Sequence, residues 1–194
     1  MLLLFLAAHH EAAHAVACVA LRMPLRDDGI HIDTKGGGIA FNFHRTPGDL
    51  ASGKRDIIER ERSIVMIKAG RVANLKLFSG SPAELAADDR LEECKLLDEM
   101  YTPGGGAWVD ADQRLSDESR RLVGEHWVAI EALAESLLAR PLTPRSSESF
   151  RKWASTDTHS RWMAGGEVAA VLSKYRLSAI VRKESDGTYH PSDL

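Results

Sequence analysis

The fold is decided by a stretch at the start of the chain, MLLLFLAAHHEAAHAVACVAL, which covers Met1–Leu21. Apolar residues lie on nearly every side of it, as is typical of a helix buried in a core. Inside it, His10, Glu11 and His14 form the pattern His-Glu-x-x-His. Because helical residues four apart share a face, both imidazoles can reach one metal ion. We therefore predict a core helix over Met1–Leu21, ended by Pro24.

The motif also predicts a chemical role for each of its three polar residues, His10, Glu11 and His14. Buried polar groups without partners cost about 1–3 kcal/mol each, and one divalent cation would satisfy Glu11 and both histidines at once. Glu11 stands beside them, where it can take a proton from a metal-bound water without binding the metal itself. The pattern predicts His10 and His14 as metal ligands and Glu11 as the catalytic base. His9 points about 100° away from His10 around the helix, so we expect it at the surface or next to a ligand.

Composition limits the possible classes of function. The chain has 194 residues, 44% of them hydrophobic, which is enough for one good core or two small ones. Its net charge of −3 argues against a nucleic-acid binder, which needs a clustered basic face. Cys18 and Cys94 form no paired motif, which indicates buried free thiols in a reducing compartment.

The apolar run at the amino terminus is not typical of a signal peptide or a membrane span. It has no basic first region, and four polar residues between His9 and His14 interrupt it. The sequence predicts a cytoplasmic protein without a membrane span.

A β-hairpin is predicted directly after the motif helix. Gly29–Asp33 and Gly38–Phe43 alternate apolar and polar residues, and Thr34–Gly37 between them has good turn chemistry. An exposed strand edge beside the metal helix can bind an extended peptide as a further strand, although plain structural support would explain the hairpin equally well. On the first interpretation the candidate substrate-binding residues are Gly38, Ile39, Ala40 and Phe41.

A longer helix follows a loop. The loop, Thr46–Ser52, overlaps a sequence that resembles a phosphate-binding loop, but Arg55 replaces its final Ser or Thr and no βαβ unit surrounds it. We interpret it as an ordinary loop. The helix is predicted over Asp56–Phe78, with Gly70 in its middle. Glycine is costly there, which suggests close packing against another helix.

The third metal ligand is expected from the helix after that. Ser81 is a good N-cap, with a proline and a glutamate after it, and the helix is predicted to run to about Tyr101. It carries Asp88 and Asp89 near its start. A catalytic zinc ion takes three protein ligands and keeps one position open, so this acidic cluster is the natural source of the third. A solvated acidic face is the alternative.

The order of these elements resembles the protease domain of the FtsH-type AAA metalloproteases. The resemblance rests on the motif helix, the hairpin, the run Ala69–Ala73 (AGRVA) and the acidic helix. In that family zinc is held by the two motif histidines and by an Asp at the start of the later helix. In the family, apolar or small residues follow this Asp by four, seven and eight positions. Counting back from Leu96 and Leu97 in this sequence selects Asp89, whereas counting from Leu96 alone would also permit Asp88. The resemblance therefore implies Zn²⁺ as cofactor, bound by His10, His14 and Asp89.

The carboxyl-terminal half extends this resemblance. A helix over Ser116–Ala139 and a closing helix from Gly165 to about Leu172 are similar to those of the family. The resemblance implies a mainly α (α+β) fold, a helical zinc-metalloprotease domain with a small β-hairpin or sheet next to the motif helix. We expect one domain over residues 1–194, with a zinc-site half (1–110) and a helical half (111–194) that contains an insertion at about 142–163.

This sequence also departs from the family. Ala13 replaces the usual glycine, and Asn74 stands where the family has an acidic residue. The sequence contains no ATPase module, so we expect ATP-independent cleavage of flexible or unfolded polypeptides, or help from a separate unfoldase or homo-oligomer. One alternative is a non-catalytic interaction or regulatory module with a structural metal, against which the intact Glu11 argues. Another is a zinc enzyme acting on a different bond, although the hairpin edge favours peptides.

Overall fold

The computed structural model describes residues 2–33, 38–42, 54–78, 87–144 and 159–182. Its helices are α1 (Leu2–Ala20), α2 (Lys54–Leu77), α3 (Ala87–Met100), α4 (Gly106–Glu125), α5 (Trp127–Leu138) and α6 (Gly165–Ser173). Its strands are β1 (Leu25–Asp33), β2 (Gly38–Asn42), β3 (Thr143–Pro144), β4 (His159–Met163) and β5 (Val181–Arg182). The protein is mainly helical with a small sheet next to α1, which confirms the predicted fold class.

Helix α1 is the centre of the core. It is buried from Leu6 to Val19 and packs against α2, α5 and the sheet. Its end is set by Arg22, which adopts a φ of 59° while its N–H and that of Met23 bond back to Val19 and Cys18. This paired hydrogen bonding is a Schellman motif, and it satisfies the last carbonyls before Pro24.

By length and composition alone, α1 is apolar enough to cross a membrane. However, 78% of its most apolar window is buried inside the protein. Its apolar surface is therefore used by the core of this fold.

The sheet is organised around β1, in the order β2-β1-β4-β3. Strands β2 and β4 pair antiparallel to β1, and β5 pairs parallel to its first residues. At the irregular point of β1, Gly29 has a φ of +73°, and a Cβ there would lie 1.9 Å from the Met163 carbonyl oxygen. Only glycine fits such a conformation and approach. The predicted hairpin is confirmed, although its first strand begins earlier, at Leu25.

One expectation for the second half was wrong. The single helix predicted over Ser116–Ala139 is two helices, α4 and α5, which meet at His126. Helix α4 packs on α2 whereas α5 packs on α1, and a straight helix cannot follow both partners. The segment 142–163, expected to be an insertion, ends in β4, which pairs with the centre of β1; its being an insertion stays a prediction.

Several predicted features lie outside the described residues. These are the hairpin turn at 34–37, the loop at 46–52 and the helix start at Ser81. The single-domain organisation stays a prediction. Both cysteines are free, as predicted, with Cys18 buried and Cys94 half-buried.

Candidate metal centre

Helix α1 brings the two motif histidines together inside the protein. His10 and His14 are both buried, and their Nε2 atoms lie 2.9 Å apart. Their rings meet edge to face, with centroids separated by 4.6 Å. One turn of helix therefore aims both imidazoles at one point, as the motif predicts.

The first turn of α3 adds a carboxylate to this point. Asp89 Oδ2 lies 2.9 Å from His10 Nε2 and 3.2 Å from His14 Nε2. Its neighbour Asp88 is exposed and is not part of this cluster. Of the two aspartates left open by the sequence, the structure places Asp89 beside the histidines.

The remote nitrogens of both rings also have partners. His14 Nδ1 lies 2.9 Å from the Met66 carbonyl oxygen. Because a carbonyl can only accept, Nδ1 carries the proton and, in the neutral ring, Nε2 keeps its lone pair. The neutral ring is thereby held in the tautomer that can bind a metal ion through Nε2.

His10 has a side-chain partner at the same position. Asn74, buried in α2, lies 3.1 Å from His10 Nδ1 through Nδ2, while its Oδ1 has no hydrogen-bond partner within the described residues. If the carboxamide is turned by half a rotation, Oδ1 accepts a hydrogen bond from Nδ1–H of His10. The single ring proton of the neutral imidazole then lies on Nδ1, so the lone pair of Nε2 is left for a metal ion. Asn74 thus suits the ligand role of His10 without the carboxylate of the resembled family.

The three groups shift one another's pKa. Burial, followed by the neighbouring His14, lowers the pKa of His10. Burial also acts to lower the pKa of His14, but Asp89 outweighs it and raises that pKa to about 9. Burial acts to raise the pKa of Asp89, and His14 with His10 instead holds it well below its usual range. The carboxylate thus favours a positive charge at the Nε2 atoms, which either a proton or a metal ion can supply.

The donor set fits a metal ion. Four tetrahedral ligands about 2.0–2.1 Å from zinc lie about 3.3 Å from one another, so shifts of a few tenths of an ångström would seat an ion among these atoms. Asp89 Oδ2 accepts no well-aligned hydrogen bond from the described part of the chain, which leaves its lone pairs for a cation. The cluster His10, His14 and Asp89 can hold a metal ion.

Glycines keep this space open. A Cβ on Gly70 in α2 would lie 2.6 Å from the Nε2 atoms of both His10 and His14. The predicted close packing at Gly70 is confirmed, and its partner is the metal-site face of α1. Likewise a Cβ on Gly38 would lie 2.6 Å from Glu11 Oε1, so β2 begins directly against the predicted base.

The other predicted site residues have mixed outcomes. Glu11 is buried and close enough to help raise the pKa of His14. Gly38, Ile39, Ala40 and Phe41 lie on β2, where the first three pair with β1; their substrate-binding role stays a prediction. His9 is buried rather than at the surface, because its ring stacks 5.9 Å from Trp127 and its Nδ1 bonds to the Phe5 carbonyl. Nothing in the local sequence showed that α5 would cover it.

The chain was compared with protein-family models and with curated proteins. No protein-family model and no curated protein matches the chain. The resemblance to FtsH-type proteases therefore rests on the quoted motifs and stays a prediction.

Proposed function

We propose that this protein is a zinc-dependent metallopeptidase that cleaves flexible or unfolded polypeptides without ATP. The observation that carries the proposal is the convergence of His10, His14 and Asp89 within 4.8 Å of one another, with Glu11 buried beside them. Two imidazoles and one carboxylate, with a position left open, are the donor set of catalytic zinc sites. A structural zinc site instead closes all four positions, usually with thiolates.

Glu11 is the general base and acid of this proposal. A bound zinc ion would polarise the scissile carbonyl and lower the pKa of an attacking water toward neutrality. Glu11 takes the proton from that water and delivers it to the leaving amine. Its position fits both steps, because it follows His10 directly on α1 and faces the start of β2 at Gly38.

Strand β2 supports a peptide as substrate. In the described part of the chain, β2 pairs with β1 alone, so its other side is an edge that can accept a further strand. Such a strand would run past Gly38 and therefore past Glu11. Only an extended, unfolded segment can bind in this way, which is the basis for proposing flexible polypeptides and, for folded proteins, a separate unfoldase.

The proposal is tested by zinc content and cleavage measured on the same samples. The unmutated protein, Glu11→Gln and the control Glu125→Gln are each loaded with zinc, dialysed and given unfolded casein. Glu125 lies on the exposed surface of α4 in an ion pair with Arg121, so its loss should change neither result. We expect about one zinc per chain in all three, and a cleavage rate roughly 10²–10⁴-fold lower in Glu11→Gln alone.

Other outcomes separate the alternatives. Zinc in all three proteins without any cleavage would favour the non-catalytic module with a structural metal. Equal cleavage by Glu11→Gln and the unmutated protein would exclude Glu11 as the base.

A further inference from the structure

A second charged cluster lies close to the metal centre, and the sequence analysis missed it. Lys68 of α2 is 1% exposed, and its Nζ lies 2.5 Å from Glu93 Oε1 and 2.6 Å from Asp112 Oδ1. Arg90 also contacts both carboxylates, and Arg71 Nη2 lies 3.7 Å from Glu93 Oε2. One buried ammonium therefore joins α2, α3 and α4.

Stability alone does not explain such a cluster. The cost of taking charges out of water is large, and well-packed apolar residues of similar volume often stabilise a protein equally or better. The best-attested use of buried polar groups is to fix the register of one element against another. Lys68 is therefore expected to fix the register of the helices that it joins, α2, α3 and α4.

Its position relates it to the metal ligands on two helices. Glu93 follows Asp89 by one turn and shares its helix face. On α2, Lys68 lies two residues before Gly70, on a different face of the helix, and a Cβ on Gly70 would lie 2.6 Å from the Nε2 atoms of both histidines. The other buried side chains of α3, Leu96 and Leu97, lie further from Asp89. The cluster around Lys68 thus anchors α3 one helical turn from the residue that carries the carboxylate ligand.

We propose that Lys68 is a positioning residue, whose ammonium between Glu93 and Asp112 fixes α3 on α2 so that Asp89 meets the two histidines. The inference rests on the proposed metal site. Metal ligands must be held within about 0.5 Å of their productive geometry. A slip of α3 by one residue would shift it by about 1.5 Å and turn it by about 100°, and it would bring Arg90 or Asp88 toward the place of Asp89.

Zinc affinity tests this role. The dissociation constant is measured by competition with a chromophoric chelator for the unmutated protein, Lys68→Met and the control Val168→Ala. Val168 is fully buried on α6, which packs on β1 and α5, so its truncation weakens the fold away from α3. We expect Lys68→Met to bind zinc roughly 10- to 100-fold more weakly and Val168→Ala to bind it normally. Equal affinity in Lys68→Met and the unmutated protein would overturn the inference.

Two further variants show whether Lys68 acts through Asp89. In an Asp89→Asn background, adding Lys68→Met should weaken zinc binding no further, whereas an undiminished effect would contradict positioning. Glu93→Gln keeps the side-chain shape if Lys68→Met fails to fold, and it should show a severalfold loss of affinity; an unchanged affinity would count against the proposal. With Co²⁺ in place of zinc, Lys68→Met and Glu93→Gln should each show weaker visible absorption bands of four-coordinate cobalt than the unmutated protein.

The proposed function and the positioning role of Lys68 can be told apart by their results. If the unmutated protein takes up no zinc, the proposed function fails and this inference with it. If it binds zinc and the variants bind equally well, only the role of Lys68 is wrong.

Discussion

At the scale of single residues, helix α2 contacts the Nδ1 atoms of both candidate histidine ligands. His14 lies against the Met66 carbonyl oxygen, and His10 lies against Asn74. The spacing of His10 and His14 on a helix could be predicted, because a helix has a fixed period. The contact with Met66, 52 residues away along the chain, could not be predicted, since it depends on how α2 packs against α1. Asn74 stood out in the sequence only as a departure from the resembled family, and its contact with His10 depends on the same packing. For the same reason the burial of His9 was missed.

The choice between the two aspartates gives the first residue-scale prediction. Asp89→Asn should lower zinc affinity by roughly 10- to 100-fold or more, because the neutral amide is a poorer ligand at 2.9–3.2 Å from both imidazoles. Asp88→Asn, at an exposed neighbour, is the matched control and should bind zinc normally. Calorimetric titration with zinc measures both, and the opposite ranking of the two variants would contradict the site.

The pKa values of the metal-free site give a second prediction. His14 has a pKa of about 9 in the folded protein against the usual 6.5, so its contribution to stability is complete below pH 6.5 and is lost as the pH rises to about 9. The pKa of Asp89 is lowered, so its contribution is present above its usual value and is lost as the pH falls. The free energy of unfolding contributed by this pair should therefore be highest between about pH 4 and 6.5.

Urea unfolding in the presence of a chelator measures this dependence. Asp89→Asn removes the largest of the charges that raise the pKa of His14, so the loss of stability between pH 6.5 and 9 should become smaller in that variant. An unmutated protein whose stability is constant or rises across this range would contradict the assigned charges.

At the scale of elements, helix α2 is built around the site as much as α1 is. It supplies Gly70 against the two Nε2 atoms, Asn74 to His10, and Lys68 to α3. Periodicity predicted α1 and α2 nearly to their ends, because each has one continuous set of apolar positions. It could not find the break at His126, since the apolar pattern runs on through it and only the change of packing partner divides α4 from α5.

Gly70→Ala tests the packing of α2 against α1. In a helix interior, Ala is usually more stable than Gly by about 1 kcal/mol, but the added Cβ would lie 2.6 Å from both ligand nitrogens. We expect zinc affinity to fall at least tenfold. Gly124→Ala in α4 is the matched control, because in the described part of the chain nothing beyond the adjoining turn of its own helix lies within 4 Å of the new Cβ. Gly124→Ala should retain zinc affinity and lose no stability. Full zinc affinity in Gly70→Ala would contradict the close packing of α2 against the two histidines.

At the scale of the whole molecule, the site exists only because distant segments meet. Helix α1 supplies two candidate ligands and the proposed base, α3 supplies Asp89, and α2 and β2 close the space around them. The mainly helical class with a small sheet could be predicted from the order of elements. The strand order could not, because β4 comes from a segment with no strong alternating pattern, and its pairing with β1 depends on the folded chain.

The central claim is that these segments converge on one metal ion, and the X-ray absorption spectrum of the zinc-loaded protein tests it most directly. The account predicts about one zinc per chain with two imidazole nitrogens and further oxygen ligands at about 2.0–2.1 Å. Zinc–sulfur scattering at about 2.3 Å, a spectrum without imidazole, or no zinc retained after dialysis would contradict it.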